Sequence, residues 1–225
     1  MPNPAVHRLH ERPDRALTAE LARQGVATLH EAMGRRGLLD PLIRPVASGW
    51  TVAGPAVTSL NHPGDNLMVH AALSVCEPGD ILVVSTTVPC MCGMIGELLA
   101  RQAKVRQLSG IVIDSGVRDV ADLRQLGLPI WSASITAAGS VKATPGWVNI
   151  PMVCGGVLIN PGDIVVADDD GIVSIPQSEA AQVLNGAKER TEREVEVRTR
   201  IEGGELSFDM NDLRGYLEHK GVTVA

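Results

Sequence analysis

Apolar positions along this chain follow two rhythms. Ile81-Leu82-Val83-Val84, Ile111-Val112-Ile113 and Ile164-Val165-Val166 are continuous aliphatic runs of strand length, and each predicts a strand buried on both faces. The β-branched stretch from Trp50 to Leu60 predicts a further strand, closed by His62-Pro63-Gly64-Asp65 and followed by a short helix through Val75. Helical spacing governs the rest. Leu17, Leu21, Val26 and Leu29, opened by Pro13-Asp14 and interrupted at Gly25, predict two helices. Others are expected from the glycine-containing loop at Gly93 to Gly96 onward to about Gln107, over Val120 to Leu126, over Ser178 to Ile201 before Gly203-Gly204, and over Asp209 to Glu218.

Turn chemistry punctuates these elements. Glu77-Pro78-Gly79-Asp80 and Asn160-Pro161-Gly162-Asp163 each place proline and glycine where a tight turn needs them, directly before an aliphatic run. Asp168-Asp169-Asp170-Gly171 lacks the ligand spacing of a calcium loop and reads as a hairpin turn. On the long C-terminal helix Val183, Leu184, Val195 and Val197 need cover, either from the body or from a neighbouring subunit.

Composition then removes several function classes. The 225 residues form a single α/β domain on this reading, with a core over about 15–176 and C-terminal helices over 177–225. A net charge of −6 and no basic cluster outside the mixed-charge C-terminal helix argue against a nucleic-acid partner. No apolar run approaches the roughly 20 residues that span a bilayer. The charged N-terminal MPNPAVHRLHERPDR has no signal-length apolar stretch, so a cytoplasmic protein without a membrane partner is expected. Cys76, Cys90, Cys92 and Cys154 lack zinc-site spacing and read as ordinary apolar or loop residues, and the six histidines offer no i, i+4 ligand pair.

Chemistry concentrates around Asp114-Ser115-Gly116-Val117-Arg118-Asp119. Ile111 to Ile113 reads as a core strand, Ser115-Gly116 as a turn at its end, and Arg118-Asp119 as groups projecting into a crevice at the sheet's edge. Asp119 is suited to a hard divalent cation and Arg118 to a developing oxyanion; the plainer alternative is a helix N-cap with a solvent ion pair. The helix start after Gly96 offers unpaired backbone N–H groups to a small carboxylate. Of the lysines a Schiff base would need, Lys104, Lys188 and Lys220 read as solvated helix residues and Lys142 as a loop or strand-edge residue.

GVATLHEAMGR (25–35), PGDN (63–66), GELLA (96–100), IDSGVRD (113–119), VCGGVLINPGDIVVADDDG (153–171) and GELSFDM (204–210) together resemble the RraA-like family. Within it the likeness is to the bacterial 4-hydroxy-4-methyl-2-oxoglutarate / 4-carboxy-4-hydroxy-2-oxoadipate aldolases of aromatic-acid degradation. The family's pattern of an acidic residue, twenty intervening residues and Arg-Asp is met by Glu97 and Arg118-Asp119, with Glu where Asp is usual. The resemblance implies a swivelling β/β/α fold, in trimers or hexamers with sites at subunit interfaces. It implies Mg²⁺ or Mn²⁺ on Asp119, Arg118 at the C2 oxygen of a 2-oxo acid, and the backbone of Gly96, Glu97, Leu98 and Leu99 at its C1 carboxylate. Glu31 and Glu194 would come from a neighbouring subunit, and a metal-bound water held by Glu97 or Glu194 would take the C4 hydroxyl proton. Oxaloacetate decarboxylation is the side activity to expect. The alternative is a non-catalytic regulator on the same fold, a branch that looks to lack the aspartate.

Overall fold

The computed structural model describes residues 2–9 and 11–223, so His10 lies outside the described residues. The chain forms one unit that ends at Ala187 and a smaller one that begins at Lys188. The first opens with β1 (Ala5–Val6), α1 (Arg15–Gln24) and α2 (Val26–Ala32), then β2 (Arg44–Pro45) and the long β3 (Val52–Asn61). Strand and helix next alternate through α3 (Leu67–Val75), β4 (Ile81–Thr86), β5 (Gly93–Ile95), α4 (Glu97–Val105), β6 (Gly110–Val117), α5 (Val120–Leu126) and β7 (Ile130–Ile135). Short strands β8 (Trp147–Val148), β9 (Met152–Cys154), β10 (Val157–Ile159), β11 (Ile164–Ala167) and β12 (Ile172–Ile175) lead into α6 (Ala180–Glu202).

Each aliphatic run predicted as a strand is one. β3, β4, β6 and β7 lie parallel and adjacent, flanked by β8 and β2, while β11 pairs antiparallel with the start of β3 and with β12. Alternation along the strands divides the core. Leu82, Val84, Ile111 and Ile113 face α3, α4 and α5, while Ile81, Val83, Val112 and Trp131 face Trp147, Met152 and Ile159. A third cluster packs Leu21 and Leu29 of the first helices, and Val183 and Leu184 of α6, against Ile164, Val166, Val173 and Ile175.

The Pro-Gly-Asp turns number three in the structure, because His62-Pro63-Gly64-Asp65 folds like the other two. In each, the Asp N–H donates to the carbonyl three residues back, at 3.1 Å, and the glycine holds a φ of 69°, 95° or 89°, where side chains are disfavoured. The Asp168 to Gly171 turn closes the β11–β12 hairpin as read.

Several local expectations need correction. Gly93–Ile95 is not a loop: all three residues are buried in β5, parallel to β6. Ser115-Gly116 is not a turn either, because β6 continues to Val117. The carbonyls of Cys90 and Cys92 accept from the Ser115 hydroxyl and the Gly116 N–H, which keeps this polar pair inside the sheet, at the cost of a register shift against β7. The expected helix over Asp209 to Glu218 is two helices, α7 (Ser207–Met210) and α8 (Leu213–His219), broken where Asp212 turns left-handed at φ 50°. In the smaller unit Val195, Val197 and Ile201 of α6 are exposed, whereas Val183 and Leu184 of the first unit are buried. Among the described residues no helix is long and apolar enough to cross a membrane.

Candidate active site

β6 and β5 end side by side, and this registration builds the site. The Arg118 N–H donates to the Ile95 carbonyl at 2.9 Å, which sets Arg118-Asp119 against Gly96 and the start of α4. Asp119 adopts a left-handed conformation at φ 57°, an uncommon backbone state that aspartate tolerates better than most residues and that recurs at functional sites. It sits at the N-terminus of α5 but does not cap that helix with its side chain. Its Oδ2 instead accepts from the Glu97 N–H at 3.1 Å and lies 3.7 Å from Arg118 Nε. The carboxylate therefore faces α4, and its surroundings contain two donors.

Gly96 permits this approach. An added Cβ there would stand 2.4 Å from Asp119 Oδ2 and 3.1 Å from Arg118 Nε. Gly96 caps α4 without a side-chain hydrogen bond, and the first helical bond runs from Ala100 N to the Gly96 carbonyl. Helix geometry leaves the N–H groups of Leu98 and Leu99 without intrahelical acceptors, and the helix dipole adds positive potential where they point.

A cavity of about 190 Å³ brings Gly96, Leu98, Leu99, Arg118 and Asp119 together. That is below the roughly 300–1,000 Å³ of drug-sized sites, so it suits a small acid. Its wall also includes four polar residues that the sequence reading did not assign to the site: Asn66, His70, Ser140 and Lys142. Asn66 donates through Nδ2 to the Met94 carbonyl at 2.8 Å, and its N–H donates to the Val141 carbonyl at 3.0 Å. Two cationic side chains, Arg118 and Lys142, thus share the lining with one carboxylate, Asp119. Burial first, and then the charge of Lys142, hold the His70 imidazole below its ordinary value of 6.5. The only one of these with a sequence signal is Asn66, the last residue of PGDN, which opens α3.

The other expected residues make ion pairs within or just beyond their own helices. The Glu97 side chain pairs with Arg101 along α4 and is not part of the cavity lining. Glu31 on α2 pairs with Arg35 at 3.1 Å, and Glu194 on α6 pairs with Arg190 at 3.0 Å and Arg198 at 3.5 Å. Of the cysteines, Cys76 and Cys154 are buried, and burial pushes the Cys76 thiol up to about 12, as expected of an inert core residue.

Asp65 fastens the wall that carries Lys142. Its Oδ1 accepts from Leu67 N at 2.9 Å, and its Oδ2 from Ala143 N at 2.9 Å and Thr144 N at 2.6 Å. Burial alone would raise this carboxyl, but the three N–H donors outweigh it and hold it below 3.8. Its stabilising contribution is therefore complete above the unfolded value and is lost as pH falls through the lower folded one. Asp65→Ala is expected to cost about 1–3 kcal/mol at neutral pH. In urea unfolding series the gap to wild type should narrow below pH 4, and a gap that widened on acidification would contradict this reading.

Comparison with known proteins identifies the family. Residues 26–174 match the RraA-like family, described as Aldolase/RraA. The chain belongs to that family. It is 35% identical over 180 residues to a protein of Halalkalibacterium halodurans named "Putative 4-hydroxy-4-methyl-2-oxoglutarate aldolase", spanning 80% of this chain and 83% of the relative. A protein of the same name from Burkholderia multivorans is 34% identical over 142 residues, 63% of this chain and 86% of the relative. Among solved structures, Streptomyces coelicolor RraAS2, described as an unusual member of the RNase ES inhibitor RraA family, superposes with a TM-score of 0.77 at 35% identity, covering 84% of this chain and 98% of that one. The RNA-processing inhibitor RraA from Thermus thermophilis gives a TM-score of 0.62 at 26% identity, covering 68% and 92%. The RraA-like fold expected from the sequence is thus the observed one.

Proposed function

We propose that this protein is a divalent-cation-dependent aldolase that cleaves 4-hydroxy-2-oxo acids of the aromatic-acid degradation type. Its substrates would be 4-hydroxy-4-methyl-2-oxoglutarate, giving two pyruvates, and 4-carboxy-4-hydroxy-2-oxoadipate, giving pyruvate and oxaloacetate, with oxaloacetate decarboxylation alongside. The observation that carries this reading is the convergence of Arg118-Asp119 and the open α4 N-terminus on one small cavity that also holds Lys142. Its charge balance, two cations and a helix dipole against one carboxylate, suits a polyanionic acid.

The residues fit a hard cation. Among the described residues no three His, Cys, Asp or Glu side chains cluster as ligands, and a single carboxylate completed mostly by water is the usual protein contribution to Mg²⁺. Mg²⁺ or Mn²⁺ on Asp119 would act as a Lewis acid toward the 2-oxo acid end of the substrate. The N–H groups of Leu98 and Leu99 hold the C1 carboxylate. Arg118 faces the C2 oxygen, where negative charge accumulates as the C3–C4 bond opens, and Lys142 is available to a distal carboxylate. Glu31 and Glu194 would complete the site from a neighbouring subunit of a trimer or hexamer.

Purified protein should release pyruvate from 4-hydroxy-4-methyl-2-oxoglutarate with Mg²⁺, lose that activity in EDTA, and regain it when Mg²⁺ or Mn²⁺ is returned. The likeness to the RNase ES inhibitor family favours one second reading, a binding protein on the same fold. A folded protein without turnover under any of these conditions would select it.

A further inference from the structure

Two buried polar atoms in the cavity wall lack partners. Asn66 Oδ1 and His70 Nε2 are both buried, and among the described residues neither meets a hydrogen-bonding group. Leaving such an atom unpaired costs about 1–3 kcal/mol. Both lie on the first turns of α3 and line the cavity that contains Arg118, Asp119 and Lys142. An unpaired polar atom on a residue that lines a cavity marks where a ligand's own hydrogen-bonding group can belong.

Resting on the aldolase reading above, we propose that His70 is a catalytic residue, the acceptor of the substrate's C4 hydroxyl proton. Retro-aldol cleavage cannot begin until that proton leaves. It passes to Nε2, the O–H electron pair becomes the new C4=O bond, and the C3–C4 pair moves onto the departing three-carbon unit as an enolate whose charge lies at the C2 oxygen beside Arg118. Protonation of C3 from solvent releases pyruvate, and loss of the imidazolium proton to solvent restores the neutral imidazole, so atoms and electrons balance without a further reactant.

Within one protomer's share of the lining, elimination supports this assignment as well as position. Its titratable side chains are His70, Arg118, Asp119 and Lys142. Arg118 and Lys142 carry positive charge and are donors, Asp119 is committed to the cation, and the Glu97 carboxylate is held by Arg101. Burial and the neighbouring Lys142 charge both favour the neutral imidazole, the form that accepts a proton. Asn66 Oδ1, at the start of the same helix and in the same lining, offers a second acceptor to orient the hydroxyl.

Oxaloacetate makes the test specific, because its decarboxylation passes through the same enolate but begins without a C4 hydroxyl. With Mg²⁺ present, His70→Leu is expected to lower kcat for 4-hydroxy-4-methyl-2-oxoglutarate cleavage by about 10²-fold or more, the scale of general-base catalysis. Oxaloacetate decarboxylation by the same variant should stay within about threefold of wild type. His70→Gln, which can hydrogen-bond the hydroxyl but cannot take its proton, should recover KM while kcat stays low. Cleavage retained in either variant, or parallel loss of both activities in a His70→Gln protein that melts like wild type, would overturn the role of His70. Absence of both activities in the wild-type protein would instead overturn the aldolase reading, and this role with it.

Discussion

Asp119→Asn is expected to abolish metal-dependent pyruvate release while leaving the fold intact, with kcat reduced by at least the roughly 10²–10³-fold that follows loss of one charge-stabilising group. Asparagine is the informative choice because of the backbone. Position 119 is left-handed at φ 57°, which asparagine tolerates and alanine does not, so Asp119→Ala would combine loss of charge with backbone strain of about 1–2 kcal/mol. The amide oxygen can still accept from the Glu97 N–H, so the junction between β6 and α4 is preserved. What disappears is the negative charge that a cation requires. Calorimetric titration with Mn²⁺ should show binding to the wild type and none to the variant, with thermal unfolding little changed. Turnover within threefold of wild type in Asp119→Asn would remove the metal from the mechanism.

How far this site was legible in the sequence differs element by element. Strands such as Ile81 to Val84 declare themselves because both faces are buried, so every position is apolar, and the Pro-Gly-Asp turns follow from the dihedral preferences of two residues. Ser115-Gly116 misleads for a physical reason. A serine–glycine pair reads as a turn unless one knows that the carbonyls of Cys90 and Cys92 lie alongside to satisfy it, and that contact joins segments more than twenty residues apart. Gly93–Ile95 is too short for a periodicity to develop, and only its pairing with β6 makes it a strand. The Arg118-Asp119 pair was found because its members are adjacent in sequence. His70 and Lys142 were not, because they enter the cavity from separate segments and a lone histidine or lysine has no local pattern to distinguish it from a surface residue.

Gly96→Ala should be nearly as damaging as removing the aspartate, although it deletes no functional group. The backbone at Gly96 is extended, at φ −124° and ψ −170°, a conformation alanine adopts without strain, so the substitution gives little reason for α4 or the sheet to unfold. The penalty falls on the site. A Cβ 2.4 Å from Asp119 Oδ2 and 3.1 Å from Arg118 Cγ and Nε lies inside contact distance of all three atoms. Either the carboxylate and guanidinium move away from the α4 N-terminus, or the N-terminus moves away from them. A displacement near 1 Å is typically worth about 10²-fold in rate when reacting groups must be held in register. The expected result is a protein with wild-type oligomeric state and nearly unchanged urea unfolding, a kcat/KM lowered about 10²-fold, and weakened Mn²⁺ binding because the carboxylate proposed as its ligand has shifted. If Gly96→Ala were fully active, the carboxylate of Asp119 could not need the position in which it faces the Glu97 N–H, and the arrangement of metal, arginine and helix start proposed for catalysis would be wrong.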